Sequence, residues 1–228
     1  MFRDRSEAGR MLGEEIVRLR PRDPVVLALP RGGVPVACEV AKAVGARIDL
    51  VIVKKIGAPG NPELAVAAIV DGDPPDVVLN REIIEVFALS DDEVAALVAR
   101  GRPELERIRN AFSRARRPLS VKGKTVVIVD DGAATGVSMK VAVRAIRRRS
   151  PHSIIVALPV ASQEAAAELT READEFVSLS IPARFRALSY HYRDFPQLGD
   201  EEITAMLADV GRIPRAKPEP PGGATPSV

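Results

Sequence analysis

Two hydrophobic patterns take turns along this chain. Short apolar runs, mostly of β-branched residues, recur as VVLAL (25–29), IDLVIV (48–53), AVAAIVD (65–71), DVVL (76–79), TVVIVD (125–130), SIIVAL (153–158) and EFVSLS (175–180). Their length and content predict strands. Between them, apolar residues fall at helical spacing. Residues 3–20 carry Ala8, Met11, Leu12, Ile16 and Leu19, and VPVACEVAKAVG (34–45) ends in Gly45, a helix-stopping residue. Further helices are predicted over 137–150, 162–174 and 199–211. Asn80 is placed to cap REIIEVFA, and Ser90 with Glu93 forms a capping box that opens a helix reaching about Arg116. Pro103 falls inside that stretch and is expected to split it. KKIGAPGNPEL (54–64) holds two glycines and two prolines and is predicted to be a loop.

Apolar strands alternating with helices predict βαβ units and a parallel sheet covered on both faces, the α/β class. Ligands of such sheets sit at the carboxyl ends of the strands. Three predicted ends carry chemistry: Pro30, Arg31, Gly32 and Gly33; Lys54 and Lys55; and Asp130 with Asp131.

Composition narrows the classes. With 228 residues, 46% of them apolar, the chain is long enough for a real core in one domain, set at residues 1–211. The segment 212–228, IPRAKPEPPGGATPSV preceded by Arg212, is Pro/Gly-rich and expected to be a disordered tail. A net charge of +2 argues against a nucleic-acid partner. Cys38 is the sole cysteine, so no disulfide forms within the chain. The charged start, MFRDRSEAGR, is unlike a signal peptide, and no run approaches the roughly 20 apolar residues of a membrane span. A cytoplasmic protein with no membrane partner is the expectation.

VVIVDDGAATG (126–136) is the most informative stretch. Its loop runs into a predicted helix start, where amide N–H groups and the helix dipole favour an anion. The hydroxyls of Thr135 and Ser138 add donors, while the adjacent aspartates repel an anion. One ligand satisfies both if its phosphate lies on the loop and its neutral diol, with or without Mg²⁺, faces the carboxylates. A ribose 5-phosphate has that form. A P-loop does not account for the sequence: the position five residues before Lys124 is Leu119 rather than glycine, and GKT (123–125) enters a strand.

The stretch resembles the phosphoribosyl-diphosphate (PRPP) motif of type I phosphoribosyltransferases, and LALPRGGVPVA (27–37) resembles that family's pyrophosphate loop. FRDRSEAGRMLGEEI and KKIGAPGNPEL resemble a branch of uncharacterised bacterial members. The resemblance implies a parallel-sheet fold with flanking helices, a helical insertion over 80–120 and a small hood from 158–198 and the N-terminal segment. It implies transfer of ribose 5-phosphate from PRPP to a nitrogenous acceptor, with pyrophosphate release and Mg²⁺. A non-catalytic sensor of PRPP or a nucleotide is the alternative, and a phosphosugar hydrolase is a third reading. By the same resemblance Asp130 and Asp131 hold the ribose hydroxyls and, through them or water, the metal. Gly132, Ala133, Ala134, Thr135, Gly136 and Ser138 cradle the 5′-phosphate. Arg31, Gly32 and Lys54 or Lys55 meet pyrophosphate, with Asp130, Asp131, Arg31 and Lys54 as the catalytic set. A Gly/Pro-rich lid over 56–63 and a homodimer are expected by analogy. For the acceptor, LPVAS (158–162) and the aromatics Phe185, Tyr190, Tyr192 and Phe195 are candidates, against a reading of those rings as subdomain core. His152 and His191 are read as packing or surface residues. Ala134 stands where hypoxanthine–guanine enzymes carry an aspartate, which argues against that specificity and leaves the acceptor open.

Overall fold

The computed structural model describes residues 1–72, 74–113 and 119–210, so the predicted tail lies outside the described residues. In chain order the elements are α1 (Arg5–Arg18), β1 (Pro24–Ala28), α2 (Gly33–Val44), β2 (Arg47–Leu50), β3 (Val53–Ala58), β4 (Asn61–Val70), β5 (Asp76–Leu79), α3 (Arg81–Val86), α4 (Asp91–Ser113), β6 (Thr125–Val129), α5 (Val137–Arg147), β7 (Ser153–Val160), α6 (Gln163–Glu172), β8 (Glu175–Ser180) and α7 (Asp200–Val210). A 3₁₀ turn spans Leu188–His191.

The main sheet is parallel throughout, in the order β2-β1-β6-β7-β8. Each central strand is apolar on both faces. Val26, Ala28, Val127, Val129, Ile155 and Ala157 join the core under α1, α2 and α7. Val25, Leu27, Val126, Ile128, Ile154 and Val156 join the core under α5 and α6. This period of two, apolar in both phases, is what a sheet sandwiched between helices requires. The chain runs from β1 out to β2, then crosses to β6 on the other side of β1. Strand order therefore reverses between β1 and β6, and a crevice opens there at the carboxyl ends.

The sequence reading of 54–64 as a loop is corrected. β3 and β4 form a hairpin, paired from Val53↔Val70 to Ala58↔Asn61, and β5 extends it to a second, antiparallel sheet. The glycines and prolines serve the hairpin itself. Gly60 turns its tip at φ 73°. Gly57 sits in an irregular register where a Cβ would stand 2.5 Å from Pro62 Cα. The strand predicted over 48–53 is likewise divided, because β2 leaves the main sheet after Leu50 and Val53 opens the hairpin. Pro103 does not split α4, which is continuous from Asp91 to Ser113. A proline in a helix interior costs about 3 kcal/mol. Val94, Val98, Leu105 and Phe112 of α4 are buried against the core that includes Ile56 and Ile69 of the hairpin, and that packing offsets the loss. The Ser90–Glu93 capping box forms as predicted.

The first residues pair with the segment after β8. Phe2 N–H donates to His191 O at 2.8 Å, and Arg193 N–H to Phe2 O at 2.9 Å. Phe2, Ala8, Val160 and Tyr192 form a small core, with Phe185, Leu188 and Phe195 packed on it. Among the described residues, no helix is long and apolar enough to cross a membrane.

α1 reaches α2 through a glycine contact. A Cβ on Gly9 would lie 2.7 Å from Val36 O and 2.9 Å from Val36 Cα, both backbone atoms. Gly9→Val is expected to destabilise the protein by about 2–3 kcal/mol through overpacking. A urea unfolding curve with an unchanged or higher midpoint would contradict this close approach.

Candidate active site

Two strand-to-helix loops line the crevice. Leu29 N–H donates to Val129 O at 2.9 Å, which fixes the loop after β1 beside the tip of β6. The loop then turns through Pro30–Arg31, a cis peptide, into α2. Its glycines touch the acid pair. A Cβ on Gly32 would lie 2.2 Å from Asp131 Oδ2, and one on Gly33 would lie 2.8 Å from Asp130 Cα. No larger residue fits at either position without moving the loop or the carboxylates.

After β6 the two aspartates diverge. Asp130 is half-buried and lines a concavity of about 160 Å³ with Gly132 to Met139 and Leu158. Its Oδ1 accepts from Asp131 N–H at 2.8 Å. Asp131 is 6% exposed and its Oδ2 accepts from Arg5 Nε at 2.8 Å. Its carbonyl accepts from Tyr192 Oη at 2.5 Å. Burial, then the neighbouring Asp131, pushes the Asp130 carboxyl well above the ordinary carboxylate range. Burial raises Asp131 as well, against the pull of Arg5.

The loop 132–138 is held from behind. Ala133 N–H donates to Val160 O at 3.0 Å and Ser162 N–H to Ala133 O at 2.9 Å. Ser162 Oγ donates to Ala134 O at 2.7 Å while capping α6 through Ala165 N–H. Gly132 lies so close to Val160 O that a Cβ would stand 2.8 Å away. Gly136, at φ 68°, opens α5 with no side-chain cap. The first helical bond runs from Lys140 N–H to Gly136 O, so the amides of Val137, Ser138 and Met139 precede the ladder. Free amides at a helix start, with the helix dipole, favour an anion.

Arg31 points the other way. Its Nε donates to Asp200 Oδ1 of α7 at 2.8 Å, and the side chain is 53% exposed. It lines a larger cavity, about 330 Å³, with Ile52, Val53, Glu104, Arg107, Phe112 and Asp200 among its walls. Because 54–55 is a strand, the lysines face opposite sides. Lys54 is half-buried on the side of Ile56, toward α4, where its charge acts on Glu104; Lys55 is exposed. Lys54 therefore faces Glu104, a residue of the cavity wall, and Lys55 the opposite side, while neither lysine is among the residues that line the cavity.

The candidate aromatics divide as well. Tyr192 is buried and stacks on Phe195 at 4.9 Å, and Phe185 stacks on His191 at 5.3 Å. Tyr190 is 62% exposed. Arg5 and Ser162 carry site contacts that the sequence reading did not assign; each acts across a long sequence separation, with no local signal. Among the described residues, no group of three or more His, Cys, Asp or Glu side chains is placed to hold a metal ion.

The phosphoribosyl transferase domain model matches residues 7–190, well over half of the chain. The chain belongs to this family. It is 38% identical over 227 residues to a Mycobacterium tuberculosis protein named "Putative phosphoribosyl transferase", a match covering 96% of this chain and 51% of the relative. The chain thus spans about half the length of the curated relatives it matches. Among solved structures, TT1426 from Thermus thermophilus is 41% identical, with a TM-score of 0.82 over 92% of this chain and 98% of that one. The match spans both loops that flank the sheet reversal.

The raised Asp130 carboxyl has a stability consequence. A carboxyl with a folded pKa above its unfolded value weakens the fold as pH rises through that folded pKa. Asp130→Asn removes this penalty. The variant's melting temperature minus that of the wild type is therefore expected to increase from pH 4 to pH 8. A pH-independent difference in calorimetric scans would refute the shift.

Proposed function

We propose that the chain transfers ribose 5-phosphate from PRPP to a nitrogen nucleophile and releases pyrophosphate. The observation that carries this reading is that one loop beside the sheet reversal holds both a carboxylate pair and a helix start with no side-chain cap. A pentose phosphate spans both: its 5′-phosphate takes the amides of the 132–139 loop, and its hydroxyls take Asp130 and Asp131. The site residues assigned from the sequence fit this placement, with Lys54 in preference to Lys55.

The leaving diphosphate gathers negative charge as its bond to C1 breaks, so cations aimed at it lower the barrier. Arg31 supplies a planar fork suited to phosphate oxygens. Its present partner, Asp200, is exposed, and such ion pairs are worth about 1 kcal/mol or less. A diphosphate therefore displaces Asp200 from Arg31 at little cost. Lys54 adds a point charge from the hairpin. Asp130 and Asp131 would hold Mg²⁺ through the ribose hydroxyls or water, and the ion would neutralise charge on the leaving group. In this reading the hairpin tip around Gly60, which is open to solvent, serves as the lid that excludes water. A cytoplasmic setting and a homodimer remain part of this proposal.

The substitutions Asp130→Asn and Asp131→Asn together are expected to abolish Mg²⁺-dependent PRPP binding while the fold is kept. Calorimetry that found wild-type affinity in the double variant would end the assignment. Arg31→Ala is expected to lower turnover by about 10²–10³-fold, the usual effect of removing one donor from a developing charge. Asp200→Ala, which only frees Arg31, is expected to leave PRPP affinity equal or higher; a loss comparable to Arg31→Ala would contradict the assigned roles. A pyrophosphate-release screen over bases and amines decides between transferase and sensor. Release with an acceptor is expected, and binding without turnover across the panel favours the sensor.

A further inference from the structure

Arg5 is the first residue of α1, set by Asp4, whose carboxylate accepts from Glu7 N–H at 2.7 Å as the helix cap. It is 9% exposed, and its contacts form a closed frame around Asp131. Nε donates to Asp131 Oδ2 at 2.8 Å and Nη1 to Pro196 O at 2.9 Å. The guanidinium carbon lies 3.7 Å from the centre of the Phe195 ring. Phe195 stacks on Tyr192, and Tyr192 Oη donates back to the carbonyl of Asp131. Side chain and main chain of Asp131 are thus both held by groups from the two ends of the described chain.

Buried ion pairs of this kind contribute little net stability against an apolar replacement, so stability alone is a weak reason for one at a strand tip. What the frame does is fix a carboxylate. Gly32 lies against the same oxygen, 2.2 Å from where its Cβ would stand, so no side chain there could share the space with the Arg5 contact. Asp131 is held at Oδ2, while Asp130, which forms no ion pair among the described residues, lines the concavity of the 132–139 loop. On the reading that this site takes a pentose phosphate, we propose that Arg5 is a positioning residue, which acts through Asp131 to set the carboxylate that meets the sugar hydroxyls. Arg5 does not touch the sugar. Tyr192 and Phe195 belong to the same device: the rings support Arg5 and the Asp131 backbone rather than stack on the acceptor.

The test compares wild type, Arg5→Gln and Arg5→Lys by calorimetry with two probes, PRPP with Mg²⁺ and inorganic phosphate alone. Inorganic phosphate reads the 132–139 loop, which Arg5 does not touch. Arg5→Gln is expected to weaken PRPP binding by about 10–100-fold, the usual scale for losing a group that orients a binding residue. Phosphate affinity should stay within about 2-fold, and Arg5→Lys, which keeps the charge but not the fork, should fall between. A folded Arg5→Gln variant with wild-type PRPP affinity overturns the role. So does an equal loss for both probes, which marks general loosening of the loop. If Arg5→Gln does not fold, Arg5→Lys decides by the same criteria. Wild-type protein that binds phosphate but not PRPP overturns the pentose-phosphate reading itself, and this role with it.

Discussion

Gly32 and Gly33 have no Cβ, and this lets the loop after β1 lie against the carboxylates at the tip of β6. The contact depends on register. β1 and β6 are neighbours in parallel pairing, Ala28 opposite Val129, so both loops leave the sheet at the same height. β1 sends its chain to β2 on one side while β6 lies on the other, so the two following helices diverge and leave a crevice between their starts. α2 begins at Gly33 and α5 at Val137. A side chain at Gly32 or Gly33 would force the loops apart.

Within that constraint the site resolves a conflict between charges. Amides at the start of α5 attract an anion, and Asp130 a few residues earlier repels one. Ala133 and Ala134 are tied back to Val160 and Ser162, which holds the loop open instead of letting it fold onto the carboxylates. Asp131 pairs with Arg5, and burial raises both carboxyls above the ordinary carboxylate range. A ligand that brings hydroxyls to the carboxylates and a phosphate to the amides satisfies every group without placing like charges together.

The main sheet and both loops were legible because their signal is local. Strands apolar in both phases announce a sheet covered on two faces, and a strand ending in DDGAATG before a helix marks a strand-to-helix loop with paired acids. The hairpin was misread for a physical reason. Its pairing of Lys55 with Ala68 is invisible along the chain, whereas the glycines and prolines of its turn and irregular register look like loop. Alternation along that strand also puts Lys54 and Lys55 on opposite faces, which a loop would not do. Pro103 was given its usual cost without the packing of α4 that outweighs it. Arg5 reads locally as one more charge at a helix start; its meaning comes from Asp131, 126 residues away. Tyr192 reads from the sequence either as subdomain core or as a stacking ring; it is core, and only the fold shows that its hydroxyl serves the Asp131 carbonyl.

The central claim is that one pentose phosphate bridges the carboxylate pair and the start of α5. A crystal structure of the protein soaked with ribose 5-phosphate tests it most directly. The account predicts density for the phosphate on the amides of residues 135–138, with the ring hydroxyls within hydrogen-bond distance of the Asp130 and Asp131 carboxylates. Phosphate bound elsewhere, or bound on the loop with the sugar turned away from both aspartates, would contradict it.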